Sequence, residues 1–435
     1  MFVALPLLAL LLVVAESLGL LSSRTPTAPK WPAPAWIFVA IAAYAVELAA
    51  VGYAAHHQLP APPWETAMPL RVVDDRGART AHADVLTAIV IALGALQAYA
   101  LLGLYRADPS RRSIAFGFAV VATLSMLAPA MTSADAYSNV GYALLGDRAY
   151  APPASLFAPP FDTIERWWGV PMVAAPYGPL WLRVAALATS PVPTLLGKIV
   201  ALRCVGAASF GAAVLLMAAL GMPRRLLAAA ALNPALAFQW IVNAHNDALA
   251  VALAFAAAFF ARRNAWLAIA FVAAAALIKL PFAVVALPVL AAIRSQRVRW
   301  IGAASAIAAA AALSWLAGGR AYASALVAHA IPVPHDLPTV TAALVAVALC
   351  VLALCGGRRL RSAAWTMPCI GGIPFAWYFT WGLPYALTRR RVAGYVLVAL
   401  PLVSAVSDTA FARPWVSLAV LPVLALLCVG GPRRS

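Results

Sequence analysis

Fourteen acidic residues stand among 435, so a carboxylate beside an apolar run asks for a reason. Asp135 lies in Thr132-Ser133-Ala134-Asp135-Ala136-Tyr137-Ser138-Asn139, directly after such a run. At a membrane–water boundary it would be partly desolvated and could take the proton of a hydroxyl nucleophile. The same residue could instead cap a short interfacial helix over 136–145. Both readings stand. A second constellation is Asn233-Pro234 followed by Asn243-Ala244-His245-Asn246-Asp247. Asn243 is one helical turn from both Asn246 and Asp247, so the three share a face. Ionisable groups at such depth are functional candidates, and helix capping competes for the same residues.

Lys279 sits in Lys279-Leu280-Pro281 between apolar stretches, where an ammonium suits a lipid phosphate as a point charge or simply snorkels. Arg320, Arg183, Lys198 and Arg203 are further cations outside the basic turns. Aromatic residues cluster at Trp167-Trp168, at Tyr177-Gly178-Pro179-Leu180-Trp181 and at Trp377-Tyr378-Phe379-Thr380-Trp381. Sugar stacking and a membrane-interface belt use the same side chains.

The elements that must position these groups follow from composition. The chain is 64% hydrophobic and only 10% charged, with mean hydropathy +0.89, whereas a soluble domain carries about 25% charged residues. A compact soluble enzyme and a disordered chain are both excluded. Apolar runs near the ~20 residues that cross a bilayer, with backbone groups that lipid cannot satisfy, predict an all-α polytopic bundle forming a single integral-membrane domain over 1–435. The net charge of +17 comes mainly from short basic turns, among them Arg106/Arg111/Arg112, Arg224/Arg225, Arg262/Arg263 and Arg389/Arg390/Arg391. Short basic loops mark the cytoplasmic side, so topogenesis accounts for the charge and no nucleic-acid partner is expected. The five cysteines form no CxxC pair and support neither a zinc site nor a disulfide framework.

With the basic turns inside, the chain alternates through 11 to 15 crossings. Segments 31–53, 85–104, 113–133, 194–220, 226–243, 247–261 and 300–317 are expected to span, and 54–84 and 134–177 to form external loops. Segments 265–293 and 363–388 read as hairpins of broken helices, because each arm is too short to span upright. Nearly all carboxylates then fall at the outer face, including Glu65, Asp74 and Asp75 of the first loop.

The order of these signals resembles the GT-C superfamily of integral-membrane glycosyltransferases. It is most similar to the polyprenol-phosphate-mannose-dependent α-1,6-mannosyltransferases. The matching pieces are Asp135-Ala136-Tyr137-Ser138, Gly146-Asp147-Arg148-Ala149-Tyr150-Ala151-Pro152, Tyr177-Gly178-Pro179-Leu180-Trp181, Asn233-Pro234 with Asn243 to Asp247, Lys279, and Trp377-Tyr378 with Trp381-Gly382-Leu383-Pro384. The resemblance implies inverting transfer of a hexose, mannose favoured, or a pentose from a polyprenyl-phosphate donor to a glycan or lipoglycan acceptor. The site would be extracytoplasmic, in a bacterial plasma membrane. It implies Asp135 as general base. Tyr137, Tyr177, Trp181, Asn243, His245, Asn246, Asp247, Trp377, Tyr378 and Trp381 would bind substrate, and Lys279 and Arg320 the lipid phosphate. No cofactor is expected and no metal ligand set is assigned, although His245 and Asp247 leave a divalent ion open. Ala376 stands where the family pattern has proline, and Asp135 is followed by Tyr137 and not by a DxD pair. The competing classes are a secondary transporter or flippase, and a non-catalytic component of envelope polysaccharide assembly. The lack of an internal repeat and the one-sided carboxylates weigh against a transporter.

Overall fold

A computed structural model describes residues 31–57, 69–73, 83–153, 157, 161–164, 172–330, 394, 397–402 and 404–405. The expected hairpin over 363–388, with Trp377, Tyr378 and Trp381, lies outside these residues, as do Glu65, Asp74 and Asp75. The described chain is helical, apart from one pair of two-residue strands.

Helix α1 (Ala33–His56) begins after Pro32 and is apolar on every side, as a helix facing both lipid and protein must be. It packs along α2 (Ala83–Ala107), and Gln97 Nε2 of α2 donates to Glu47 of α1 at 2.8 Å. Helix α3 (Arg111–Met126) starts at Ser110, whose Oγ accepts from the Ser113 amide. Beyond it the chain straightens. Strand β1 (Arg71–Val72) pairs in parallel with β2 (Ala130–Met131), Arg71 opposite Ala130. The pair fastens the first inter-helix segment over the entrance to α4 (Asp135–Leu145).

Within the stretch 134–177, expected as an external loop, the described residues include folded elements. Helix α4 and a 3-10 turn (Gly146–Tyr150) fold back into the molecule, with Ala136, Tyr137, Val140 and Ala149 fully buried. All of Ala136–Ala143 is buried, so small residues such as Ala136, Gly141 and Ala143 let the helix sit within the bundle on every side. Next come the short α5 (Pro179–Thr189) and the long α6 (Leu195–Ala219). Helix α7 (Arg224–Ala231) is followed after Asn233 by α8 (Pro234–Ala237), which runs on as a π-turn over Phe238–Val242. These two pieces are bent by 46°, because Pro234 cannot continue the hydrogen-bond ladder of α7.

Helix α9 (Asp247–Phe260) is 14 residues long, shorter than the crossing expected over 247–261. The segment 265–293 is divided into three pieces. Helix α10 (Ala265–Ile278) stops at Lys279, a 3-10 turn covers Leu280–Val285, and α11 (Ala286–Ala292) completes it. Helix α12 (Gln296–Ala330) outruns the expected span and is kinked at Gly319, with φ of 52°. Among the described residues four helices are long and apolar enough to cross a membrane, or five with the bent pair counted as one span. The chain is therefore an all-α polytopic membrane protein.

The core gathers where α6, α8 and α9 meet, with Phe210 set edge-to-face on Trp240 at 5.1 Å and Phe255 fully buried. Close approach is set by Gly206 of α6, where an added Cβ would lie 2.0 Å from the Trp240 carbonyl oxygen. Backbone cannot yield as a side chain can, so Gly206→Ala is expected to destabilise the bundle by about 1–3 kcal/mol. Thermal unfolding in detergent would read this as a lowered Tm, and an unchanged Tm would show that α6 and α8 can separate freely.

Candidate functional site

The site begins at the turn between α8 and α9. The π-turn brings the Asn243 amide to the Phe238 carbonyl at 3.0 Å and the His245 amide to that of Gln239 at 3.2 Å. Ala244 takes φ of 52°, a left-handed conformation that costs a non-glycine residue about 1 kcal/mol. The surrounding packing imposes it. Asn139 Nδ2 donates to the Ala244 carbonyl at 3.4 Å, and Trp181 Nε1 donates to Asn139 Oδ1 at 2.9 Å. The turn aims His245 across at α4, where its Nδ1 lies 2.9 Å from Asp135 Oδ2.

Asp135 is the first residue of α4, one position inside the cap expected from the sequence. Its amide donates to Ser133 Oγ at 3.2 Å, and no side chain serves as the helix cap. The carboxylate is thereby given to His245 and to the Tyr177 hydroxyl, which donates to it at 3.5 Å. Burial pushes the Asp135 carboxyl up, but the charges of His245 and Lys279, with hydrogen bonds from His245 and Ser133, outweigh it and hold the pKa below the ordinary carboxylate value. Asp135 side-chain exposure is 22%, against 1% for His245. Of this pair, the carboxylate is the group a substrate can reach.

Lys279 and Asp247 form the second charged pair, Nζ to Oδ1 at 3.0 Å, with Asp247 fully buried and Lys279 12% exposed. Asp247 opens α9, and Lys279 closes α10 as its C-cap. Each charge therefore complements the dipole of its own helix. Lys279 Nζ also lies 5.7 Å from the centre of the Tyr177 ring, so Tyr177 spans the two pairs. Its loop is fastened to the end of α10 by the Gly178 amide, which donates to the Ile278 carbonyl at 3.0 Å. A Cβ on Gly178 would sit 2.1 Å from the Leu277 oxygen, which requires glycine there.

The residues expected to bind substrate divide by place. Asp135, Tyr177, His245, Asp247 and Lys279 converge. Asn243 stands behind them, exchanging hydrogen bonds with the Thr132 amide and hydroxyl at 3.1 Å each and donating to Gln239 at 2.9 Å. Asn246 is buried beside Asp247. Tyr137 and Trp181 are turned into the core at 0% and 1% exposure, so they support the site from behind instead of lining it. Tyr137 donates to the Leu70 carbonyl at 2.5 Å, anchoring the segment that carries β1. Arg320 is exposed on α12 just past the kink, near where Tyr322 packs on Tyr150 at 4.7 Å. Arg183 pairs with Asp147 at 2.9 Å, and Lys198 donates to the Thr189 carbonyl at 2.7 Å. Among the described residues no group of three His, Cys, Asp or Glu gathers to hold a metal ion.

Arg203, one of the further cations outside the basic turns, is buried in α6 and donates to backbone carbonyls. Thr132 and Asn139 belong to the polar run around Asp135 and act as supports, whereas Gln239 is not singled out by the sequence reading. The available signal for Gln239 is a polar side chain inside an apolar segment.

Residues 37–296 match the family model described as alpha-(1->6)-mannopyranosyltransferase, N-terminal domain. The match covers more than half of the chain and includes Asp135, Tyr177, His245, Asp247 and Lys279. No curated protein and no solved structure matches the chain.

Breaking a buried ion pair from one side strands a charge. Asp247→Ala is expected to cost about 3–5 kcal/mol. The double variant Asp247→Leu/Lys279→Met should cost less than the sum of its single changes. Denaturant unfolding of the four proteins in detergent measures the coupling, and additive losses would mean that the two charges do not stabilise one another.

Proposed function

The chain belongs to the alpha-(1->6)-mannopyranosyltransferase family, and from that premise we propose that it transfers mannose from a polyprenyl-phosphate donor to a glycan or lipoglycan acceptor. The reading places this at the extracytoplasmic face, with Asp135 as general base in a GT-C-type inverting reaction. The observation that carries it is the Asp135 carboxylate, kept ionised beside His245 on a side chain that is 22% exposed at the edge of a buried charge cluster.

In this reaction the acceptor hydroxyl lies against the reachable edge of Asp135. Its oxygen forms a bond to C1 of the sugar while its proton passes to the carboxylate. The C1–O bond to the lipid phosphate breaks from the opposite face, its electron pair stays with the departing phosphate, and the configuration at C1 inverts. His245 fixes the rotamer of Asp135 through the 2.9 Å contact, and the Tyr177 hydroxyl restrains the other side. The Lys279 ammonium, held by Asp247 at 3.0 Å and 12% exposed, suits the growing charge on the leaving phosphate. Arg320, exposed on the neighbouring α12, suits the same phosphate nearer the lipid. Trp377, Tyr378 and Trp381 are the remaining aromatic residues proposed for the sugar pocket.

The test is transfer of radiolabelled mannose from polyprenyl-phosphate-mannose in membranes carrying the chain. Asp135→Asn keeps size and polarity but cannot take a proton, and should lose roughly 10²–10⁴-fold in rate. Full activity in this variant would move the base elsewhere.

The pH dependence has a definite sign. A carboxylate whose folded pKa is depressed stays a competent base until the pH falls through that pKa. The acid limb of kcat/KM should therefore lie below the ordinary aspartate range of about 4. Lys279→Met removes one of the charges lowering the Asp135 pKa and should shift that limb upward. A limb that stays in place while KM rises would confine Lys279 to phosphate binding.

A further inference from the structure

The far end of the bundle carries a second charged site. Helix α3 alone separates the two ends by about 24 Å, from its 16 residues at 1.5 Å each. It starts at Arg111, beside the end of α2, and finishes at Met126 near the Asp135 segment. Helices α7 and α8 run the same course, from Arg224 to Val242. At the arginine end, two turns distant in sequence enclose a groove of about 590 Å³ lined by Tyr105, Arg106, Asp108, Pro223, Arg224 and Arg225.

The groove is organised by specific contacts. Arg224 Nη2 meets Asp108 Oδ2 at 2.7 Å, and Asp108 holds φ of 47°, a left-handed conformation that turns the chain sharply after α2. The Arg225 guanidinium lies 5.2 Å from the centre of the Tyr105 ring. That ring is itself packed on Gly394, where an added Cβ would come within 2.7 Å. Helix α7 begins here without a side-chain cap, leaving first-turn amides that favour an anion. Three arginines and one carboxylate line the groove. The basic turn at Arg262/Arg263 is arranged differently: Arg263 folds back on its own helix, donating to the Phe259 carbonyl at 2.7 Å and lying 3.9 Å from the Phe259 ring. Topogenesis accounts for both turns having arginines. It does not account for one pair of turns converging on a groove.

We propose that this groove binds the phosphate head group of an anionic phospholipid in the leaflet opposite the Asp135 site. Arg106 and Arg225 would be its ligands, and Arg224 would be held in place by Asp108. The location suits a lipid, since α2 ends and α7 starts at this level, where basic pockets between helices meet anionic head groups. Guanidinium forks match phosphate oxygens in pairs. The proposal is independent of which sugar or acceptor the Asp135 site uses.

The test is native mass spectrometry of the full chain, delipidated in detergent and titrated with phosphatidylglycerol or phosphatidylcholine. Phosphatidylglycerol is expected to saturate one site. Its affinity should fall about tenfold in Arg225→Gln and in Arg106→Gln, and stay unchanged in the control Arg262→Gln/Arg263→Gln. Asp108→Asn, whose asparagine tolerates the left-handed backbone, removes the competing carboxylate and should tighten binding. Thermal unfolding of each variant verifies its fold. Equal binding of phosphatidylcholine, or equal losses in the control, would overturn the proposal. So would an Arg225-dependent thermal stabilisation by inorganic phosphate that phosphatidylglycerol fails to produce, because it would assign the groove to a soluble anion.

Discussion

Helix ends inside an apolar bundle leave carbonyl groups that lipid cannot satisfy, and in this protein a single buried guanidinium answers several of them. Arg203 of α6 is 1% exposed. Its Nε donates to the Val242 carbonyl at 3.1 Å, and its Nη1 donates to those of Met126 and Ala128 at 3.1 and 3.0 Å. Met126 ends α3, and Val242 ends the π-turn after α8. The first segment leads within nine residues to Asp135, and the second within three to His245. One side chain with donors and no acceptor thus pins both approaches to the site. Arg203 also lies one turn before Gly206, which admits the Trp240 backbone, so polar anchoring and close packing act on the same face of α6.

From that junction the charges of the site follow a common rule. Asp135 and Asp247 each open a helix, and Lys279 closes one. Partial charges at helix termini favour these signs, so the bundle collects carboxylates and an ammonium in one place without leaving any of them in a uniformly apolar setting. The hydrogen-bonded chain from Thr132 through Asn243 to Gln239 and on to Ser404 supplies a polar wall behind them. Rigidity comes from the rear, through Trp181, Asn139 and Tyr137, while Asp135 keeps access at the front. The proposed role of Asp135 as a base requires such a division between a fixed back and a partly exposed side chain.

The two ends of the molecule use charge differently. Near Asp135, opposite charges pair in the interior, and burial sets their energetics. At the opposite end, arginines stay at the boundary and converge from separate turns. Membrane orientation and chemistry are thus carried by different residues. A net charge of +17 says little about the substrate for that reason.

Composition and periodicity were enough to establish a polytopic helical protein, because an apolar fraction of 64% has no soluble solution and lipid permits few backbone forms. The short polar runs around Asp135, Asn243 to Asp247, and Lys279 stand out as a candidate site for a related reason: a charge in an apolar run is expensive and seldom present without use. Pairing was beyond reach from sequence. Asp135 and His245 are 110 positions apart, and Asp247 and Lys279 meet only because α9 and α10 form an antiparallel pair. The same limit governs Tyr137 and Trp181, whose aromatic character fits a sugar platform and a buried anchor equally well. Which of the two each became was decided by the direction in which α4 and α5 turn their faces. Residue chemistry is local and readable along the chain. Partnership depends on bends: the one at Asn233-Pro234 follows from the proline, but the left-handed turn at Ala244, where packing overrides local preference, takes shape only in the tertiary fold.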